Sequence, residues 1–190
     1  MKIEAKFEAK NNKLYGIFSG QEISVDFNSA MPVADFCKVA GDFSAIKEKI
    51  PGSAEKVMAV VLPWEKVEPE PEAYDESFLA EFREVLKQAE ETELFVVILP
   101  CAGEFLAEKA EEFTAAMKHT ARRIKDCSSV VGFAVPDALA SLGFCEGQPA
   151  EFFVEELSCK HAHYVYFAKK AAVEKSTLLS EALQLPLVLY

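Results

Sequence analysis

No stretch of this 190-residue chain concentrates basic residues: 20 Lys and Arg stand against 31 Asp and Glu, a formal charge of −11. Such a surface repels phosphate backbones, so nucleic acid is not an expected partner. Apolar runs of membrane-spanning length are also missing, and no membrane association is expected. The longest run, "LFVVILPCAG", is strand-sized and holds a proline. The opening "MKIEAKFEAK" alternates apolar and charged residues where a secretion signal would be continuously apolar, so a cytoplasmic protein is expected. The five cysteines (Cys37, Cys101, Cys127, Cys145 and Cys159) form no Cys-x-x-Cys pair and are odd in number. That pattern predicts reduced thiols packed as small apolar residues, not a zinc site or a disulfide framework. The eight glycines form no GxxxxGK(S/T), GxGxxG or GxSxG. Nucleotide and serine-hydrolase readings therefore have no support, and neither cofactor nor metal is expected.

Apolar residues, by contrast, are plentiful. They make up 51% of the chain, with fifteen phenylalanines, enough for the core of one domain over 1–190. Three apolar runs end in proline, "VMAVVLP" at Pro63, "LFVVILP" at Pro100 and "VVGFAVP" at Pro136, spaced 37 and 36 residues apart. Between them the apolar positions follow helical spacing. Leu79, Phe82, Val85, Leu86 and Ala89 share one face. So do Phe113, Met117, Thr120 and Ile124 in the stretch that starts at Leu106. Continuous Val- and Ile-rich runs alternating with amphipathic helices predict parallel strands.

The same beat extends outward to "ISVDFN" at 23–28, followed by a helical stretch over 34–50 that closes at Pro51-Gly52. It continues through "YVYFA" at 164–168 and "LPLVLY" at the end, with a short helix over 176–184 between them. The reading is an α/β protein with about six strands in parallel βα repeats over 21–190. A β-hairpin over 1–20, turning at Asn11-Asn12, precedes them. Six strands do not close an eight-stranded barrel. The sheet is then either open and doubly wound or a partial (β/α) barrel, and its free edges call for cover from the hairpin, a helix or a homodimer.

The wording of the central repeats is informative in itself. "LPWEKVEPEPEAYDESFLAEFREVLKQAEETELFVVILP" resembles the second and third βα units of retaining glycoside hydrolases built on the TIM barrel, the cellulase-like clan. "FTAAMKHTARRIKDCSSVVGFAVPDAL" is similar to the helix, turn and strand that in those enzymes lead to Asn-Glu-Pro. The likeness runs from Asp35 to Leu139 and is most specific between Trp64 and Val135. Retaining hydrolysis needs two carboxylates about 5 Å apart. Carried across residue by residue, the acid/base glutamate falls on Ala138 and its asparagine on Asp137. The arginine that ends the second strand would meet only Ala59, Val60 or Val61. The histidine after the third strand falls near Ala102, and the nucleophile would lie past Tyr190. The resemblance therefore implies a shortened scaffold without the hydrolytic machinery, a pseudoenzyme that binds a carbohydrate or another small polar ligand or serves structurally.

Two rivals stand beside that reading. One is an active carbohydrate hydrolase using other carboxylates, Glu65 with Asp137, or a site completed across a dimer. The other is an open-sheet binder of small molecules. Ligands of α/β folds gather at the carboxyl ends of the strands, which places Asp26, Asn28, Trp64, Glu65, Cys101, Glu104, Asp137, Lys169 and Lys170 as candidates. Of these, Asp26, Trp64, Glu65, Cys101 and Asp137 are the proposed binding residues. Each also has a bland reading. Trp64 plugs the gap between strand and helix while Glu65 faces solvent, and acids at helix starts, such as Glu104 and Asp75, cap or complement the dipole. Cys101 is a buried inert thiol unless a base or helix start activates it. Asp137 is a turn residue unless Asp26 or Glu65 raises its pKa. His161 and His163 share a strand face at its opening, the wrong end for the site, and suit a surface or interface pair. His119, in a charged helix, is expected to be solvated.

Overall fold

The computed structural model describes residues 3–50, 52, 55–103, 107–176 and 187–190. Strands β1 (Phe7–Lys10) and β2 (Lys13–Gly16) form the expected hairpin. Asn11 and Asn12 both adopt positive φ, 52° and 59°, the left-handed geometry of a two-residue turn matched to strand twist, which asparagine tolerates. A third short strand, β3 (Glu22–Ile23), adds antiparallel to β2.

The second sheet has six strands in the order β4-β5-β6-β7-β8-β9, all parallel. These are β4 (Met31–Pro32), β5 (Lys56–Pro63), β6 (Leu94–Cys101), β7 (Val130–Ala134), β8 (Val165–Ala168) and β9 (Leu187–Leu189). The helices are α1 (Val33–Lys38), α2 (Phe43–Lys49), α3 (Trp64–Val67), α4 (Glu76–Glu91), α5 (Ala110–Arg123), α6 (Asp137–Ala140), α7 (Pro149–Ser158) and α8 (Lys170–Ser176). The described helices all bury their apolar residues in one core cluster on the same face of the sheet, as right-handed crossovers between sequential parallel strands require. A doubly wound sheet would reverse its order partway, and this one does not. Of the two architectures left open by the strand count, the partial (β/α) barrel is the one formed.

Strand alternation sorts the core into two clusters. Val60, Leu62, Val96, Ile98 and Phe133 point to the helices, where α4 presents Leu79, Phe82, Val85, Leu86 and Ala89 as its spacing predicts. Asp75 caps that helix by accepting from the Phe78 N–H at 2.9 Å. Val57, Val97, Val131, Val165, Phe167 and Val188 point the other way, to the inner face, and meet Phe7, Leu14 and Ile23 of the antiparallel sheet. The space a closed barrel fills with its own strands is filled here by the N-terminal strands. The hairpin also covers the last sheet edge: the Leu189 N–H donates to the Asn12 carbonyl at 2.9 Å, and Asn12 Nδ2 donates to the Leu187 carbonyl at 3.1 Å. At the other edge β4 is two residues long, and Pro32 withholds an N–H. Gly132 lets β7 approach β8 closely, since a Cβ there would lie 1.7 Å from the Val165 carbonyl oxygen.

Several expectations need correction. "ISVDFN" is not the first parallel strand: Ile23 pairs with Leu14 in the antiparallel sheet, and Asp26 turns the chain before β4 takes that role. The βα repeats therefore begin at Met31 and not at residue 21. The helical stretch over 34–50 is two short helices, broken where Gly41 adopts a φ of 96°. The helix after β8 begins at Lys170, ahead of the expected 176; positions 177–184 of that expectation, with Pro51, Glu104 and Leu106, lie outside the described residues. Leu14 is 1% exposed between the two sheets. Leu14→Ala is expected to lower stability by about 2–5 kcal/mol, seen as a lower urea midpoint in a single cooperative transition.

Candidate functional site

Past the carboxyl ends of the parallel strands lies a cavity of about 290 Å³. Its walls include Val61 of β5, Cys101 of β6, Pro136 and Asp137 after β7, and Tyr190 after β9. Among the described residues Asp137 is the only side-chain carboxylate lining it, and Lys169 Nζ donates to Asp137 Oδ2 at 3.0 Å. Both side chains are about half exposed, so the pair adds little to stability, but it holds a fixed plus–minus couple at the rim. Tyr190 stacks on Phe27 at 3.7 Å with an interplanar angle of 13°. Burial, and then the charge of Asp137, pushes its phenol up to about 12. The cavity thus offers an aromatic ring, a neutral hydroxyl and an ion pair, a combination suited to hydrogen-bonding one small polyhydroxylated molecule.

The structure gathers only part of the expected constellation there. Cys101 and Asp137 line the cavity; Asp26, Trp64 and Glu65 do not. Asp26 sits on the loop between β3 and β4, where its Oδ1 accepts from the Asn28 N–H at 2.9 Å and its Oδ2 from the Ser29 hydroxyl at 2.6 Å. These bonds, the Ser29 one foremost, hold its carboxyl below the usual range. Trp64 opens α3 within the helix layer. Its Nε1 donates to Glu68 Oε2 at 2.6 Å, and its ring meets Phe113 of α5 edge-on at 5.6 Å. The tryptophan closes the gap between β5 and α5, and Glu65 beside it is exposed.

Cys101 is exposed and not buried, because it ends β6 after Pro100. Cys159 is exposed as well, so the expectation of uniformly packed thiols holds fully only for Cys127. Burial pushes the Cys127 thiol up to about 12.

The histidines also differ from expectation. His119 is not free in solvent: it stacks on Tyr74 at 4.0 Å, and its Nε2 lies 2.9 Å from Glu76 Oε1, which Arg123 also reaches at 2.6 Å. His161 and His163 lie in the turn ahead of β8, at the amino end as expected, but not on a shared strand face. His161 is 5% exposed, with the His163 ring perpendicular to it at 6.2 Å. Burial, and then His163 and the cations Lys125, Arg122 and Lys160, push the His161 imidazole down to about 4. Tyr190 and Phe27 were missed from the sequence. Reading the end of the last apolar run as the ends of the other runs were read would have found Tyr190.

Six parallel strands in sequential order, with their helices on one face, define the class: part of a TIM-type (β/α) barrel, the fold of cellulase-like glycoside hydrolases. Among solved structures, the catalytic domain of Thermobifida fusca endoglucanase Cel5A, in complex with cellotetraose, is similar at a TM-score of 0.60 and 12% identity over 93% of this chain and 59% of that one. An exo-β-1,4-mannosidase from Opitutaceae bacterium strain TAV5 matches at 0.55 and 12% identity over 88% of this chain and 34% of that one. A GH5_18 protein from Bifidobacterium longum, in complex with Manβ1-4GlcNAc, matches at 0.52 and 12% identity over 72% of this chain and 39% of that one. At such identity the likeness establishes the fold, and the chain spans well under two thirds of each of these proteins. No family model and no curated protein matches the chain.

Two outcomes follow from this geometry. Trp64→Phe removes the indole donor to Glu68 while keeping an aromatic ring, and is expected to cost about 1–2 kcal/mol in urea denaturation. For His161 the folded-state pKa lies below the ordinary imidazole value of 6.5, so between about 6.5 and about 4 the unfolded chain holds a proton that the folded chain does not. Stability is expected to fall with acidification across that window, and His161→Leu to flatten the fall when denaturation midpoints are compared at pH 7.5 and pH 5.

Proposed function

We propose that this chain is a non-hydrolytic derivative of the glycosidase barrel that binds a carbohydrate or similar small polar molecule at the carboxyl end of its sheet. The observation that carries this reading is that the crest cavity has, among the described residues, a single side-chain carboxylate: Asp137, already paired with Lys169, with Ala138 beside it where the likeness expects the acid/base glutamate. Retaining hydrolysis divides its work between a proton donor and a nucleophile about 5 Å apart. One ion-paired carboxylate does not serve both roles, and a methyl group donates no proton. The rival pairing of Glu65 with Asp137 is disfavoured because Glu65 does not line the cavity.

The inner face, filled by Phe7, Leu14 and Ile23, supports the same view, since the barrel axis is given to packing. The net charge of −11 argues against nucleic acid as partner. Free cysteines suit a reducing compartment such as the cytoplasm, and among the described residues no helix is long and apolar enough to cross a membrane. A homodimer built by strand pairing would use the β4 edge, because Asn12 already occupies the β9 edge.

The expected outcome is no turnover of aryl β-glucosides, aryl β-mannosides or cellotetraose. Cellotetraose should nevertheless perturb the amide resonances of Cys101, Asp137 and Tyr190, and Asp137→Ala should weaken that response roughly five- to tenfold. Turnover that Asp137→Ala abolishes would falsify the reading.

A further inference from the structure

A second and larger cavity, about 640 Å³, opens at the other end of the sheet, between β1, α7 and the turn that leads into β8. Its body is apolar: Phe7 and Ile17 on one side, Val154 and Ala162 on the other. Two of the residues that form its wall carry polar atoms with no hydrogen-bond partner, the Tyr166 hydroxyl and His163 Nε2. Tyr166 is 2% exposed, and both atoms are closed to solvent. Leaving a polar atom buried and unpaired costs about 1–3 kcal/mol. Two of them on residues that border one apolar cavity mark a place where a ligand would supply the missing partners. Burial keeps both groups neutral, lowering the pKa of His163 and raising that of Tyr166. Three carboxylates, Glu8, Glu151 and Glu155, also line the cavity, and among the described residues no lysine or arginine does.

We propose that this cavity is a binding site for an uncharged small molecule with an aromatic or alicyclic body and one carbonyl or hydroxyl group. The body replaces water against Phe7, Ile17 and Val154. The polar group accepts from the Tyr166 O–H and pairs with His163 after a side-chain rotation that turns both toward the cavity. An anion is rejected, because the Glu8, Glu151 and Glu155 carboxylates face it with no cation to offset them. The site is independent of the crest cavity and stands whether or not the crest binds sugar.

The test uses benzamide and benzoate, which share a shape and differ in charge. Benzamide at millimolar concentration is expected to raise the melting temperature and shift the His163 imidazole and Tyr166 resonances, while benzoate does neither. Tyr166→Phe removes an unpaired buried hydroxyl, so the ligand-free variant should melt at or above the wild-type temperature while binding benzamide roughly five- to tenfold more weakly. A residue with a purely structural role would not show that split. Ala162→Trp, at an exposed position on the cavity wall, should abolish the benzamide response with the circular dichroism spectrum unchanged. The proposal is overturned if benzamide leaves the wild-type protein unperturbed, if benzoate binds as well, or if Tyr166→Phe keeps full affinity. It is overturned equally if the perturbed resonances cluster at Cys101, Asp137 and Tyr190.

Discussion

A parallel sheet whose helices all lie on one side leaves its other side apolar and uncovered. A closed eight-stranded barrel meets that constraint by rolling up until its inward side chains fill the axis in layers. Six strands do not reach closure, and Val57, Val97, Val131, Val165, Phe167 and Val188 would face water. The antiparallel strands β1–β3 resolve the problem by laying Phe7, Leu14 and Ile23 against that face. The turn at Asn12 then ties the same element to the free edge of β9. Face and edge are closed by one short segment, so the fold of the parallel sheet depends on the packing of the chain's first strands.

The same arrangement bears on chemistry. In barrels of this class the carboxyl ends of the strands surround a site above the axis. Here the crest cavity lies between β5, β6, β7 and the residue after β9, and Tyr190 in its wall stacks on Phe27. That crest presents the Tyr190 ring and hydroxyl and, among the described residues, one side-chain carboxylate, Asp137, held by Lys169. At the opposite end, where β1 passes α7, the added sheet makes a wall that a plain barrel does not have. The unpartnered Tyr166 and His163 stand along the cavity formed there. The N-terminal strands thus both occupy the barrel axis and create a new pocket at its foot.

Most of the local architecture was legible because it depends on period. The proline-ended runs became β5, β6 and β7, the last of which ends at Ala134, two residues before Pro136. The helical face of Leu79 to Ala89 is the buried face of α4, and Asn11-Asn12 is the hairpin turn. The failures have one cause: a short apolar stretch does not announce its partner. "ISVDFN" has strand composition, but Ile23 pairs backward with Leu14, and the Asp26 side chain turns the backbone before a parallel strand forms. Met31–Pro32, with too little composition to notice, is the strand that joins the sheet. Trp64 was legible as a plug because a lone tryptophan at a strand end has a hydrogen-bond need, which Glu68 one turn later satisfies.

By itself the sequence determined the βα rhythm, the parallel direction of the strands and the acidic surface, since each follows from residue spacing or charge count along the chain. It also determined that Ala138 carries no carboxylate. Only the tertiary structure decided that the sheet is a partial barrel filled by its own N-terminal strands, that Asp137 lines the crest cavity while Glu65 does not, and that His161 lies buried beside His163. Those outcomes rest on contacts between residues far apart in the chain, where what fits depends on the shape of the opposing surface and no local pattern records it.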